Sequence, residues 1–427
     1  MKKKLKELKD NDICPCGSNK QYKRCCKNKK IKYFKNSNNE IIKEIPLNDE
    51  TKSILKELEV RFETYYGRKP SKEDRIFAGV SNYRNSFNME FMKFARECGI
   101  EEAKIYAFYM TGGIMPTEEN KEVISDIDLE NYNYYYDEFE TLMENSDLNE
   151  MNILQYVLIC NSILSDEIDK TDDFLTFVFN DFILRHTVDG SIDNYEIKNE
   201  LDYLIFSVLK TVLTLESIKM FKEENIPEII YSLARGLFEN YLYLYNININ
   251  KEFFVNKMFP KIDNKNFEFL KYQDGKINYN KVRSKITGEE KVLKLTIYEL
   301  VQTLNEEEDK QIYDLFYKLA SRHIHIDIVS AKRYFETYNP YDEINPSYIA
   351  IIILYSLSCM ILAEIVKNKN VEKSFSKDAN YLLKRISSKL VDSLLLIEQD
   401  KNHTNEMYDI FKKRLLKIPK NTFNKSK

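Results

Sequence analysis

Four cysteines fall close together near the start of the chain: Cys14, Cys16, Cys25 and Cys26, in the pattern C-x-C-x8-C-C. Thiolate is a soft ligand, and four of them close a tetrahedral shell around Zn²⁺ at about 2.3 Å each, leaving no position for a substrate. A site of that kind is structural. The residues between the ligands suit it. Pro15 stiffens the turn between the first two, Gly17 lets the backbone bend close to the sulfurs, and Tyr22 offers an apolar wall. Lys20, Lys23 and Arg24 offset the excess negative charge of a tetrathiolate centre and keep the sulfurs deprotonated.

A second set of residues could handle protons or phosphates. Arg235 and Glu239 stand four apart on a stretch that is apolar almost all round (Leu233, Leu237, Phe238, Leu242, Leu244), so the pair is expected to be buried. Two readings stay open. The pair is an ion pair fixing helix register, or it lines a cleft in which Arg235 binds phosphate or orients a base while His325 acts as general acid or base. His325 lies over Ser321, one helical turn back, whereas His323 shares the stripe of Ile312, Phe316, Leu319 and Ile326 and reads as a core histidine. His323, His325 and Asp327 do not converge on a metal, being spaced by two on one helix. His186 and His403 read as helix-end or surface residues, and Cys98, Cys160 and Cys359 as buried thiols.

The elements that must carry these residues are mostly helical. Only 10 Gly and 9 Pro occur in 427 residues, too few for a turn-dense all-β fold or a parallel α/β sheet. Periodicity predicts helices over 88–111, 151–164, 172–186, 195–222, 227–246, 307–337, 347–367 and 378–398, with others near 52–62 and after Ser71. The Tyr- and Asn-rich run 129–137 reads as a loop or exposed aromatic edge, and 262–292 as a short β-hairpin insertion around Asp274-Gly275 and Thr287-Gly288. Tyr348–Ala363 has sixteen uncharged residues, short of a membrane span and interrupted by Ser356 and Ser358, so it is expected to be a buried bundle helix. The expected organisation is a knuckle with a basic arm (1–30), a linker (31–50), a helical domain (51–190), a helical bundle bearing the Arg/Glu/His constellation (191–400) and a basic tail (401–427). The fold class is therefore mostly α, a multi-helix bundle with a small N-terminal four-cysteine zinc knuckle.

Charge is unevenly spread. Residues 1–35 carry a net +10 and 411–427 a net +7, which leaves the rest strongly acidic in a chain of net charge −4. Basic arms on an acidic body are expected to touch nucleic acid, ribosomes or anionic surfaces. No apolar stretch follows the initial lysines, so no signal peptide is expected, and a reducing cytoplasm makes clustered cysteines metal ligands rather than disulfides.

The string from Cys14-Pro15-Cys16-Gly17-Ser18 to Tyr22-Lys23-Arg24-Cys25-Cys26 resembles the SEC-C motif, a zinc-binding segment found at either end of many bacterial proteins. That resemblance implies Zn²⁺ on the four cysteines and docking to a protein, ribosome or RNA partner. Arg235, Glu239, Ser321 and His325 together resemble a family of helical bacterial domains with Arg-x-x-x-Glu and Ser-x-x-x-His segments, over roughly 195–400. The chain is also similar to HEPN helical ribonucleases, whose Arg and His lie four to six residues apart on one helix. Here Arg322 and His325 stand closer and Arg235 and His325 much farther apart, so an equivalent pair would have to be assembled in space. The function expected is a zinc-binding adaptor, the alternative being an HEPN-like ribonuclease of toxin or phage-defence type using Arg235, Glu239 and His325. No nucleotide-binding, α/β-hydrolase, zinc-protease or EF-hand motif occurs.

Overall fold

The computed structural model describes residues 6–15, 18–28, 31–35, 41–44, 56, 59–60, 63, 68–69, 92, 95–96, 99–117, 120–121, 124–144, 153–187, 196–222, 226–324, 339–399 and 406–423. It is 67% helical, with only small antiparallel sheets. Two compact units divide it, Met1–Tyr156 and Val157–Lys427.

The first unit opens with a three-stranded antiparallel sheet, β1 (Lys6–Glu7), β2 (Lys32–Lys35) and β3 (Ile41–Glu44), in sequence order. Residues 31–50 were expected to be a linker. They instead carry two of these strands, because Ile31 and Tyr33 are buried against the cysteines and give an otherwise polar stretch something to pack on. Two helices follow, α1 (Glu102–Met110) and α2 (Asp126–Glu144), joined through Tyr106 against Phe139 at 5.4 Å. The run 129–137 is thus helix rather than loop. Asp126 and Asp128 in the first turn favour the helix dipole, the Ser125 hydroxyl accepts the Asp128 N–H, and Tyr132 and Phe139 share the buried face. The helix expected after Ser71 and most of that near 52–62 lie outside the described residues, as do Cys98 and His403.

The second unit is a helical bundle. Helix α3 (Ile153–His186) is one continuous element where two were expected; Asp166 to Lys170 pair on its surface through the middle, and Thr171 and Asp172 are buried without breaking it. His186 ends it, with Nδ1 2.8 Å from the Phe182 carbonyl and Nε2 accepting the Glu372 N–H. Helices α4 (Glu200–Lys219) and α5 (Pro227–Ile249) follow, the first opened by a capping box of Asn199 and Asp202 and the second by Pro227 at its first turn. A three-stranded antiparallel sheet, β4 (Phe267–Lys271), β5 (Ile277–Ser284) and β6 (Glu290–Val292), fills the predicted hairpin region. Gly275, at φ +81°, makes its first turn.

Helices α6 (Ile297–Gln302), α7 (Glu307–Ile312) and α8 (Lys318–Ile324) come next, with one π-turn at Tyr313–Tyr317 between the last two. The central element is α9 (Pro346–Lys367), packed along α5 and buried from Ser347 to Val366. It is long and apolar enough to cross a membrane, yet its whole length is enclosed by the bundle. The two serines in its middle donate to the carbonyls one turn back, Ser356 to Ile352 and Ser358 to Leu354, so neither hydroxyl is wasted in the core. Helix α10 (Lys373–Gln399) lays the stripe Phe375, Ala379, Leu383, Ile386, Leu390, Leu394 and Ile397 against it.

Residues 401–427 were expected to be a basic tail. The described part of it is a packed helix, α11 (Glu406–Phe423), because Met407, Ile410, Phe411, Leu415 and Ile418 make one apolar face, and Arg414 lies within it. Arg414 is 2% exposed, its Nε donating to Oδ1 of the fully buried Asp309. The Tyr241 hydroxyl donates to the other oxygen of Asp309. Burial pushes the Asp309 carboxyl up and works against the guanidinium charge, but the attraction of Asp309 outweighs that penalty and holds Arg414 protonated.

Candidate metal centre

The knuckle is built by a chain reversal. Asn19 sits at φ +55°, a left-handed position that asparagine tolerates well, and returns the chain so that the Cys14 N–H donates to the Lys20 carbonyl at 2.8 Å. One turn of 3₁₀ helix, Tyr22–Arg24, then delivers Cys25 and Cys26 to the same spot. The Sγ atoms of Cys14, Cys25 and Cys26 all lie within 4.8 Å of one another, and those of Cys25 and Cys26 are 4.0 Å apart. None of the three is in a disulfide, and all are buried. Tetrahedral Zn–S bonds of about 2.3 Å place their sulfurs about 3.8 Å apart, so the three thiols stand close to the spacing that a soft metal ion requires. The expected fourth ligand, Cys16, lies outside the described residues.

Residues 11–28 match the family model of the SEC-C motif. No curated protein and no solved structure shows significant similarity to the chain. The SEC-C segment and its cysteine cluster together mark a metal site compatible with zinc.

The core around the cysteines extends beyond the SEC-C segment. Leu8, Ile31 and Tyr33, all outside the match, close a small core with Tyr22 around the cysteines. The Tyr22 hydroxyl donates to the Ile31 carbonyl at 2.9 Å and accepts the Tyr33 N–H at 3.3 Å, while the two rings meet edge to face at 5.9 Å. Burial raises the Tyr22 phenol above its ordinary value, so it stays a hydroxyl. Ser18 Oγ lies 3.1 Å from Cys25 Sγ, and the Tyr33 hydroxyl 3.8 Å from Cys26 Sγ. Sequence reasoning placed Tyr22 at this wall and missed Tyr33; the alternation Ile31-x-Tyr33 was the available signal. Outside the core, Lys9, Lys20, Lys23, Arg24 and Lys27 are exposed, with Lys27 paired to Asp10.

The second constellation is placed differently from expectation. Arg235 and Glu239 are half-buried rather than buried, their side chains 24% and 30% exposed, because their side of α5 lies at the margin of the contact with the π-turn and α8. Arg235 Nη2 is 3.1 Å from Glu239 Oε1 and donates to the Tyr317 hydroxyl at 3.0 Å, and Tyr317 in turn donates to Glu239 at 2.8 Å. The guanidinium also lies over the Tyr317 ring at 5.0 Å. Burial pushes the Tyr317 phenol up to about 12, so this closed triad carries a neutral hydroxyl between two charges. Ser321 donates to the Tyr317 carbonyl. His323, expected in the core, is half-buried and stacks on Tyr231 at 5.8 Å. His325 lies outside the described residues; among the described residues the structure brings Arg235 and Glu239 together, joined by Tyr317. Tyr317, the residue that joins the pair, gave no signal in the sequence beyond its place on the Phe316 helix.

Proposed function

We propose that residues 6–44 form a zinc-stapled docking module that presents a basic face to an anionic partner and holds the helical body there. The observation that carries this reading is the segregated composition of the knuckle: Cys14, Cys25, Cys26, Leu8, Tyr22, Ile31 and Tyr33 are buried together, while Lys9, Lys20, Lys23, Arg24 and Lys27 face solvent, two of them in surface ion pairs, Lys20 with Asp126 and Lys27 with Asp10. A closed thiolate shell offers no position for a substrate, so the metal acts on shape. Shape then fixes where the cations stand, and closely spaced exposed cations bind polyanions by releasing counterions. The cytoplasm, where thiols stay reduced, is the compartment this reading requires.

The test is capture of ribosomes, free RNA and an acidic polypeptide by the intact chain across a salt series. Binding to one of them should weaken steeply with salt, and should be lost both in Cys14→Ser and in the triple charge reversal of Lys20, Lys23 and Arg24. Because those three cations also offset the charge of the thiolates, the metal content of the charge-reversed chain is measured beside its capture, and the comparison is made on metal-loaded protein. Capture that survives Cys14→Ser overturns the proposal.

A further inference from the structure

We propose that Tyr33, five residues beyond the SEC-C match, is a positioning residue of the metal centre, its hydroxyl donating to the Cys26 thiolate. The inference rests on the reading of Cys14, Cys25 and Cys26 as metal ligands. A metal-bound thiolate has no proton of its own, so in the pair formed by Cys26 Sγ and the Tyr33 hydroxyl at 3.8 Å only the phenol can donate. Cys26 is fully buried, which leaves its sulfur to be served by protein groups rather than bulk water.

The phenol is held where it is by a short closed circuit. The Ile31 N–H donates to the carbonyl of Cys26 itself, at 3.0 Å, which starts the strand at a fixed distance from the ligand. The Tyr22 hydroxyl then grips that strand on both sides of Lys32, donating to the Ile31 carbonyl and accepting the Tyr33 N–H. The Leu8 N–H donates to the Tyr33 carbonyl at 2.8 Å, and the Tyr22 ring sits edge-on to the Tyr33 ring. These bonds hold the Tyr33 backbone through both its N–H and its carbonyl, and the Tyr22 ring braces one side of the Tyr33 ring. Ser18, inside the matched segment, serves Cys25 in the same manner at 3.1 Å. Each of the two adjacent cysteines therefore has its own hydroxyl partner, one from within the motif and one from the added sheet. Groups that bond to metal ligands orient them and typically change metal affinity by about 10–100-fold when removed.

The experiment uses the full chain as wild type, Tyr33→Phe, and Tyr279→Phe on exposed β5 as control. Zn²⁺ affinity is read by competition with a chromophoric chelator, and the Co²⁺-loaded protein by its thiolate-to-metal charge-transfer band. Tyr33→Phe should lose about 10–100-fold in Zn²⁺ affinity. Its cobalt band should also move to lower energy, since a sulfur that no longer shares its charge with a donor gives up an electron more readily. The control should match wild type in both. Replacing Tyr33 by 4-aminophenylalanine, which restores a donor on the ring, should recover affinity, and does so even where Tyr33→Phe takes up no metal. Unchanged affinity in Tyr33→Phe, a weakened affinity with an unmoved band, or failure of the amino analogue to rescue overturns the proposal. A wild-type chain that takes up neither metal overturns the reading of the cysteines beneath it.

Discussion

Removing Arg414 should destabilise the helical unit more than any surface change in the chain. Its side chain is 2% exposed and its partner Asp309 is fully buried, so Arg414→Met leaves a carboxyl in the interior that must either stay charged without its cation or take up a proton, with the Tyr241 hydroxyl as its remaining partner among the described residues. Breaking a buried pair from one side costs about 3–5 kcal/mol. Most of that is the penalty of the stranded carboxylate rather than the worth of the pair. A unit of this size loses roughly 2–4 °C of Tm per kcal/mol, which gives a fall of about 6–20 °C. Asp309→Leu alone should cost a similar amount by stranding the guanidinium. The double variant, Arg414→Met with Asp309→Leu, should recover much of the loss, because an apolar pair of similar volume replaces the charges with packing. Denaturant unfolding followed by far-UV circular dichroism measures all three. An Arg414→Met variant within about 2 °C of wild type would refute the reasoning, since a change that small fits only a solvated arginine on a loosely held helix.

The Arg235 cluster should behave in the opposite way. With both side chains about a quarter to a third exposed, Arg235→Met and Tyr317→Phe should each cost only about 1 kcal/mol, and a loss above about 3 kcal/mol in the same denaturation assay would make the pair a buried pivot instead. At the start of α6, Thr296 donates its backbone N–H and hydroxyl to Glu299, which holds that carboxyl below its ordinary 4.5. A depressed carboxyl stabilises the fold above its unfolded value and loses that contribution as pH falls through the native one. Thr296→Ala removes the hydroxyl donor but keeps the backbone N–H, so it should raise the Glu299 pKa part of the way as followed by NMR, and the share of its stability deficit that comes from the hydroxyl bond should shrink as pH drops below 4.5; an unmoved Glu299 pKa would refute the hydroxyl's part in holding it down.

What could be read from the sequence depended on how local each cause was. The cysteine cluster was legible because its ligands lie within one short segment, and soft-metal geometry dictates their spacing. Helices α5 and α10 were legible because each buries a face whose period is written in its own residues, and α9 because its run is apolar all round. Arg414 was not, since its partner Asp309 lies 105 residues away and Arg414 itself sits in a run of lysines. One clue was present: Arg414 stands inside the apolar stripe of Met407, Phe411, Leu415 and Ile418, where a solvated arginine has no place. The same holds for Tyr33, whose role depends on meeting Cys26 across a strand. The half-exposure of Arg235 and Glu239 misled for a related reason: the flanking leucines are apolar on all sides, but which side lies at the margin is set by the π-turn and Tyr317.

The enclosure of α9 has a consequence for how the chain must be made. Its neighbour α5 precedes it, but α10 and α11 are translated after it, ending about 50 residues downstream. At about 5–20 residues per second, a segment as apolar as a membrane span waits roughly 3–10 s before its last walls exist. The N-terminal knuckle has no such wait, since every residue of its small core lies between Leu8 and Tyr33. Synthesis thus produces first a part that can close on itself and later one that cannot, and the interval before α11 docks is when the nascent chain is most open to chaperones, to aggregation and to mistaken delivery to a bilayer.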